Sequence, residues 1–100
     1  MSEKEASDDN RRWFMYVVRC NDDTLYTGIT TDVERRIDEH NHSKKGAKYT
    51  ASRRPVEIVF AKIFSGQSSA ARAENRFKKY RRVDKLKIIS GEKEFSLANE

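Results

Sequence analysis

Apolar and polar residues form two short runs near the start of the chain, separated by three polar residues. The first run spans Trp13 to Val18 and the second spans Leu25 to Ile29, with Asn21, Asp22 and Asp23 between them. Two such runs around a polar turn predict a β-hairpin. The first run is apolar at both alternating positions, which is typical of a central strand covered on both faces.

The hairpin makes a geometric prediction about two tyrosines. With the three polar residues as its loop, the register places Val18 opposite Tyr26 and Tyr16 opposite Gly28. Because side chains alternate along a strand, Tyr16 and Tyr26 then share one face of the sheet. Gly28 has no side chain to fill the sheet surface, so it leaves room for the Tyr16 ring.

The residues after the hairpin recur with the spacing of a helix from Asp32 to about Asn41. Thr31, followed three residues later by Glu34, has the spacing of a capping box, in which the two side chains satisfy backbone N–H groups at a helix start. We therefore expect Thr31 to cap this helix.

One side of this helix mixes apolar and polar residues. At about 100° per residue, a stripe about 100° wide contains the following residues: Arg36, His40, Val33 and Ile37. Arg35 points to the opposite side. An arginine and a histidine therefore flank the face that packs on the sheet. One interpretation is that both extend along the edge of the core to reach solvent; the other is that they share a site with the two tyrosines.

A third apolar run follows Pro55, which can open a strand because the first strand position tolerates a missing N–H. It ends at Phe64, before a Ser-Gly-Gln break. A second helix is expected after the break, with Ser68 or Ser69 as its N-cap. Its buried stripe comprises Ala70, Ala73, Phe77 and Tyr80.

Glu74 lies at the flank of that stripe, and a third helix is expected from Val83 to Ile89, with Gly91 as its stop. The pattern therefore predicts the fold class α/β (α+β), with a three-stranded antiparallel sheet flanked by helices in the order β-β-α-β-α-α. Residues 1–10 are expected to form a disordered acidic tail, residues 11–90 the domain, and residues 91–100 a polar C-terminal tail.

Length and composition agree with one small intracellular domain. The 100 residues contain 36% hydrophobic residues, enough for a single modest core. The only cysteine, Cys20, excludes an internal disulfide and offers no zinc site, so we expect a reduced thiol in a cytoplasmic or nucleoid-associated protein. No apolar run approaches the roughly 18 residues that a membrane span needs. Neither a membrane partner nor a small-molecule cofactor is expected.

The charge is distributed unevenly along the chain. The net charge is +5, but residues 1–10 carry −3 and residues 91–100 carry −2, which leaves +10 on residues 11–90. A domain this basic suits a polyanion, although a charged surface can also serve solubility alone. The candidate nucleic-acid-binding residues are Lys44, Lys45, Lys48, Arg53, Arg54 and Lys78. Of these, Lys48 is expected nearest to the active site.

The order and spacing of several polar residues resemble the GIY-YIG nuclease domain, most closely its small stand-alone members. The resemblance covers roughly Trp13 to Lys79 and rests on Tyr16, on the triplet Tyr26-Thr27-Gly28, on Arg36 and His40, and on Glu74. The first triplet is Phe-Met-Tyr, without the family's Gly and Ile, and the second has Thr in place of Ile. The tyrosines and the glycine of the pattern are kept.

The resemblance implies a metal-dependent DNA endonuclease with catalytic residues Tyr16, Tyr26, Arg36, His40 and Glu74. Glu74 would bind one Mg²⁺ or Mn²⁺, Arg36 would hold the phosphate oxygens, and Tyr16 would be the general base. Tyr26 would orient the water or the phosphate, and His40 would assist Tyr16. Gly28 would allow the backbone to approach closely.

Three functions remain open from the sequence. The first is an endonuclease with little base specificity, since no recognition helix or zinc module is apparent, with a role in DNA repair or recombination. The second is a catalytically incomplete nucleic-acid-binding protein of the same fold. The third is a basic protein-interaction module. Glu74 likewise has a structural alternative, a surface ion pair with Lys78 one helical turn away.

Overall fold

The computed structural model describes residues 12–95 and contains three strands and four helices. In chain order they are β1 Trp13–Arg19, β2 Leu25–Thr30, α1 Val33–His42, α2 Lys48–Ala51, β3 Glu57–Phe64, α3 Gln67–Lys78 and α4 Arg82–Ser90. The expected fold class is confirmed. The structure adds α2, a single helical turn inside the basic loop between α1 and β3.

The sheet is antiparallel throughout, with strand order β2-β1-β3. β1 is therefore the central strand, as its apolar pattern predicts. Tyr16 pairs with Gly28 and Val18 pairs with Tyr26, so the hairpin register is confirmed. The hairpin loop closes with the Cys20 N–H donating to the Thr24 carbonyl at 2.8 Å.

Each face of β1 belongs to a different part of the core. Met15 and Val17 pack with α3 and α4 in one cluster, which includes Ala73, Phe77, Ile88 and Phe95. Tyr16 and Val18 point the other way and pack with Cys20, Val56, Tyr26 and Ile37 of α1 in a second cluster. This division follows from the alternation of side chains along a strand. It places Tyr16 under α1.

Two predicted helix caps are wrong. α1 is capped by Asp32, whose carboxylate accepts the Arg35 N–H at 3.0 Å, rather than by Thr31 with Glu34. Asp32 has the extended backbone that an N-cap requires, and its own N–H is bound by the Thr30 hydroxyl at 3.1 Å. α3 begins at Gln67 after Gly66, without a side-chain cap, so neither Ser68 nor Ser69 has this role.

The packed unit continues past the expected boundary at residue 90, as far as Phe95. Gly91 ends α4 in the left-handed conformation at φ +89°, as predicted. The chain then returns, and Phe95 is only 4% exposed, with ring contacts to Phe60, Phe77 and Tyr80. Apolar burial holds this segment on the domain. The predicted acidic tail lies outside the described residues, as does the end of the chain from residue 96.

Cys20 is buried beside the hairpin and is a free thiol. Burial is the first cause that raises its pKa, which keeps the sulfur protonated and unreactive. Among the helices within residues 12–95, none combines the length and apolar character of a membrane span.

Candidate active site

The Tyr16 ring lies across Gly28 on the neighbouring strand. A Cβ built on Gly28 would be 2.6 Å from the Tyr16 hydroxyl oxygen and 2.8 Å from Cζ. Carbon atoms in ordinary contact are about 3.5–4.0 Å apart, so no residue with a side chain fits here without displacing the ring. The expected gap beside Tyr16 is confirmed, and the group that approaches the Gly28 backbone is this ring.

Tyr16 and Tyr26 lie on the same face of the sheet, and both contact His40. The His40 ring centroid is 5.8 Å from that of Tyr16 and 5.4 Å from that of Tyr26. His40 projects from α1 into the space between the two rings and is fully buried. His40 therefore does not extend along the edge of the core to solvent. It shares a buried space with the two tyrosines, which is the second of the two interpretations.

Three groups hydrogen-bond the two nitrogens of the His40 ring. Nε2 lies 2.7 Å from the Tyr16 hydroxyl, and Nδ1 lies 2.9 Å from the Thr50 hydroxyl. The backbone N–H of Ala47 also donates to Nδ1, at 3.3 Å. Burial, followed by the nearby charges of Arg36 and Arg54, lowers the pKa of His40 to about 4. At neutral pH the imidazole is therefore neutral.

Burial raises the pKa of Tyr16 to about 12, because the charged phenolate would lose its solvation. The nearby Tyr26 and Glu74 raise it further, whereas the Arg36 guanidinium interacts with the hydroxyl and lowers it. Arg36 and Glu74 therefore act on the pKa of Tyr16 in opposite directions. The phenol can become a base at neutral pH only if additional positive charge approaches it.

Arg36 is half-buried, and Glu39 fixes its position. Arg36 Nη1 donates to Glu39 Oε1 at 2.7 Å and to the Lys45 carbonyl at 2.8 Å. The hydrogen bond from Arg36 is the first cause that lowers the pKa of Glu39, so this pair is charged at neutral pH. Arg35 is exposed and meets the other Glu39 oxygen at 3.4 Å. The two arginines thus differ in exposure, but they meet the same carboxylate, so Arg35 does not point to the opposite side of the helix as expected.

Arg36 also lines a shallow cavity of about 250 Å³ at the start of α1. Its other walls come from β1, β2 and α1: Trp13, Ile29, Thr30, Thr31, Arg35 and Glu39. The guanidinium therefore has an open side, although Nη1 is occupied within the protein. A fork of five N–H donors can hold a carboxylate and an incoming phosphate oxygen at the same time.

Glu74 lies on α3 with its side chain 20% exposed, and it pairs with Lys78 at 3.0 Å. Within residues 12–95, no three His, Cys, Asp or Glu side chains come together as a metal cluster. A single accessible carboxylate fits Mg²⁺ or Mn²⁺, since Mg²⁺ keeps several waters and binds through one or two carboxylates plus phosphate oxygens. It does not fit zinc, which takes three or four protein ligands.

The basic residues that the sequence groups together have different surroundings in the structure. Arg53 stacks its guanidinium 3.9 Å from the centroid of the Tyr49 ring and pairs with Asp22 at 3.0 Å. Arg54 donates to the carbonyls of His40 and Ser43 at the end of α1. Both arginines therefore hold the loop in place.

Lys44, Lys45 and Lys48 are exposed around that loop. Lys44, Lys48 and Arg54 line a groove of about 520 Å³ next to α2. Lys78 is half-exposed on α3 and engaged by Glu74. The lysines thus remain accessible to a polyanion. Lys44 and Lys48 lie on the same groove.

Four residues of the site are missing from the sequence-based set: Glu39, Ala47, Tyr49 and Thr50. Glu39 could have been found from its spacing of three and four residues after the two arginines. Tyr49 stacks on Tyr26 with ring centroids 5.8 Å apart, which only the folded loop brings about. The contacts of Ala47 and Thr50 with His40 have no local sequence signal, because they depend on the path of the loop.

Comparisons with known proteins agree with this geometry. The GIY-YIG catalytic domain model matches residues 12–87. A UPF0213 protein of Desulfotalea psychrophila is 47% identical over 89 residues, covering 88% of this chain and 81% of its own. A UPF0213 protein of Staphylococcus haemolyticus is 51% identical over 76 residues, covering 76% of this chain and 92% of its own. The relatives are thus single-domain proteins of similar size.

Two solution NMR structures share the fold. The UPF0213 protein BH0048 from Bacillus halodurans aligns with a TM-score of 0.53 at 37% identity, covering 87% of this chain and 89% of that one. The protein EF2693 from E. faecalis aligns with a TM-score of 0.55 at 38% identity, covering 85% and 91%. With the family model spanning most of its length, the chain belongs to the GIY-YIG nuclease domain family and is similar to its small UPF0213 members.

Proposed function

We propose that this protein is a metal-dependent endonuclease that hydrolyses phosphodiester bonds of DNA. The observation that carries the proposal is the environment of Tyr16. Its hydroxyl lies between Gly28 and His40, 2.7 Å from the His40 ring, and Arg36 lowers its pKa whereas Glu74 raises it. A buried phenol that is hydrogen-bonded to an imidazole and influenced by an arginine is more polar than a structural core requires.

In this mechanism Tyr16 takes a proton from the attacking water, and Tyr26 orients that water or the phosphate. Arg36 binds the non-bridging phosphate oxygens, where negative charge increases as the pentavalent transition state forms. Its contribution should grow along the reaction, which is the requirement for lowering the barrier rather than only binding the substrate. Glu39 holds the guanidinium in place at 2.7 Å. Preorganised donors of this kind need no rearrangement when charge develops.

Glu74 would hold the metal ion, and Lys78 would release the carboxylate when the ion binds. A bound Mg²⁺ or Mn²⁺ supplies positive charge to the phosphate and lowers the pKa of its waters. The Glu74–Lys78 pair at 3.0 Å is exposed enough that exchanging it for a cation is not costly.

The DNA backbone would follow the exposed lysines around the basic loop. Lys44, Lys45 and Lys48 supply charge there, and Arg53 and Arg54 hold the loop through their internal contacts. Within residues 12–95 there is no separate recognition helix, so contacts go to phosphates and base specificity should be low. DNA of unusual structure, as in repair or recombination, is therefore the substrate class that we favour, with a cytoplasmic or nucleoid location.

The Glu74–Lys78 pair also supports a second function, a nucleic-acid-binding protein without catalysis. In that case Glu74 only stabilises α3, worth roughly 0.2–0.5 kcal/mol as a helical pair. The two functions differ in a single measurable property, the requirement for a metal ion in cleavage.

The test is nicking of a supercoiled plasmid in Mg²⁺, with EDTA as the control, for the unaltered protein and for Glu74→Gln. Asp84→Asn is a matched control variant, because Asp84 is 21% exposed on α4 and pairs with Arg81 at 3.5 Å and with Lys93 at 3.7 Å. We expect Glu74→Gln to abolish metal-dependent nicking and Asp84→Asn to retain it. Both should melt within a few degrees of the unaltered protein, since each loses only surface pairs.

DNA affinity in EDTA separates the remaining functions. It should fall steeply as salt is raised for both variants, because phosphate contacts release counterions. Binding without nicking would support the non-catalytic protein, and equal nicking by Glu74→Gln would remove this carboxylate from the mechanism. Absence of both nicking and salt-dependent binding would leave an interaction module with an acidic protein partner.

A further inference from the structure

The backbone N–H of Ala47 points at Nδ1 of the buried His40 ring, with a donor–acceptor distance of 3.3 Å. The position of this N–H is fixed by the chain, unlike that of a hydroxyl hydrogen, which rotates. A ring nitrogen can accept a hydrogen bond only when it carries no hydrogen. In the neutral imidazole this places the single ring hydrogen on Nε2.

Gly46 explains why the chain comes so close to His40. A Cβ on Gly46 would lie 2.6 Å from the Glu39 carbonyl oxygen and 2.8 Å from the Cα of His40. The loop therefore packs its backbone directly against the last turns of α1. This approach brings the next peptide N–H, that of Ala47, within reach of the imidazole.

Thr50 is compatible with either position of the ring hydrogen. Its hydroxyl lies 2.9 Å from His40 Nδ1 and 2.9 Å from the Ala47 carbonyl, and it has one hydrogen to donate. It can donate to Nδ1 or accept from it. The fixed donor therefore decides, because a hydrogen on Nδ1 would leave the Ala47 N–H facing another donor without an acceptor.

We propose that the Gly46-Ala47 backbone holds His40 as the Nε2–H tautomer, so that His40 donates a hydrogen bond to the Tyr16 oxygen instead of accepting the Tyr16 proton. This inference rests on the proposed function for its catalytic meaning, but the tautomer itself is a property of the resting protein. His40 is then a positioning residue. It favours the phenolate form of Tyr16, and the Tyr16 hydrogen is directed away from α1.

The consequence is a division of roles at the Tyr16 oxygen. His40 and Arg36 both offer hydrogens to it, and neither can take its proton, since arginine stays charged and Nε2 of His40 already carries the ring hydrogen. Tyr16 must therefore lose its proton to solvent before it can act as a base. The cleavage rate should rise about tenfold per pH unit through the alkaline range below the pKa of Tyr16.

The first experiment is an NMR measurement of ¹⁵N–¹H couplings in the histidine ring at neutral pH, without DNA or metal. His42→Gln removes the only other histidine signals, and His42 is exposed on the last turn of α1. We expect the couplings of His40 to show hydrogen on Nε2. Hydrogen on Nδ1 would overturn the proposal, whatever the nuclease assay shows. Because no activity is measured, this result is independent of the proposed function.

Thr50→Val separates the effect of the Thr50 hydroxyl on the His40 tautomer from that of the Ala47 N–H, because it removes the hydroxyl and nearly preserves the side-chain shape. The Nε2–H tautomer should persist in this variant, since Ala47 still donates to Nδ1. A shift to Nδ1–H would show that the hydroxyl, rather than the backbone, had set the tautomer, and would contradict the proposal. A melting curve confirms that the variant is folded.

A pair of His40 variants tests the effect on Tyr16. His40→Gln carries an amide N–H that can replace Nε2–H, whereas His40→Leu has no donor. The alkaline titration of Tyr16, followed by NMR of ring-labelled tyrosine with Tyr16→Phe for assignment, should end at a higher pH in His40→Leu than in His40→Gln. Equal titration of Tyr16 in the two variants would refute the donor role, with or without nuclease activity.

Discussion

Gly28→Ala is the substitution whose effect the structure defines best. The added Cβ would lie 2.6 Å from the Tyr16 hydroxyl oxygen, where ordinary contacts begin at 3.4 Å, so the hydroxyl must move by about 0.8 Å. The ring cannot rotate freely, because Tyr16 is 1% exposed and His40 lies on its other side at 2.7 Å. The substitution should therefore break the Tyr16–His40 hydrogen bond.

The magnitude follows from the cost of overpacking a buried site, about 1–3 kcal/mol of unfolding free energy. For a domain of this size that corresponds to a fall in melting temperature of roughly 4–24 °C. Chemical denaturation gives the free energy directly, and a nicking assay on the folded fraction should show a large loss of rate. The displaced hydroxyl should also titrate differently from that of the unaltered protein.

A double-mutant cycle with Tyr16→Leu serves as the control. The smaller side chain lets the new Cβ fit, so the double variant should lose at least about 1 kcal/mol less than the sum of the single changes. Strict additivity would show that the cost arises from the β2 backbone and not from the ring. A Gly28→Ala protein with unchanged stability would refute the steric argument altogether.

Two further predictions concern α1. Arg36→Ala should lower the cleavage rate far more than it weakens DNA binding, because negative charge develops on the phosphate in the transition state. Arg35→Ala, at the more exposed neighbouring position, should change the rate and the binding only slightly. Equal effects of the two substitutions would show that both arginines contribute only non-specific positive charge. Since the pKa of His40 is lowered from 6.5 to about 4, the unfolded chain takes up a proton first as the pH falls. Stability should therefore decrease between pH 6.5 and 4, by on the order of 3 kcal/mol, in urea titrations at stepped pH. His40→Gln should flatten this decrease and His42→Gln should not; identical pH profiles for the two variants would contradict the buried neutral imidazole.

The local geometry of the site follows from the sequence. A polar loop of three residues between two apolar runs leaves one sensible hairpin register, and that register alone puts Tyr16 opposite Gly28 and on the same face as Tyr26. The 100° step of a helix likewise predicts that Arg36 is more buried than Arg35. These features can be predicted because they involve residues a few positions apart in the chain and the fixed side-chain periods of strands and helices.

The residues that cap the helices are harder to predict from sequence, because several polar residues compete for the same N–H groups. Asp32 rather than Thr31 caps α1: the Asp32 backbone is extended, and its N–H donates to the Thr30 hydroxyl. Phe95 shows the opposite case. Nothing near it in sequence marks it as buried, but three aromatic rings from β3, α3 and the turn after α3 form a pocket for it.

The roles of His40 and of the loop arginines depend on contacts between segments that are distant in sequence. Arg53 and Arg54 look alike in sequence, with no sign that one stacks on Tyr49 and the other binds carbonyls at the end of α1. The protonation of His40 depends on its complete burial and on the Ala47 N–H, which arrives from a separate segment. Burial and hydrogen bonding between distant segments are properties of the assembled packing, so no periodic pattern in the sequence encodes them.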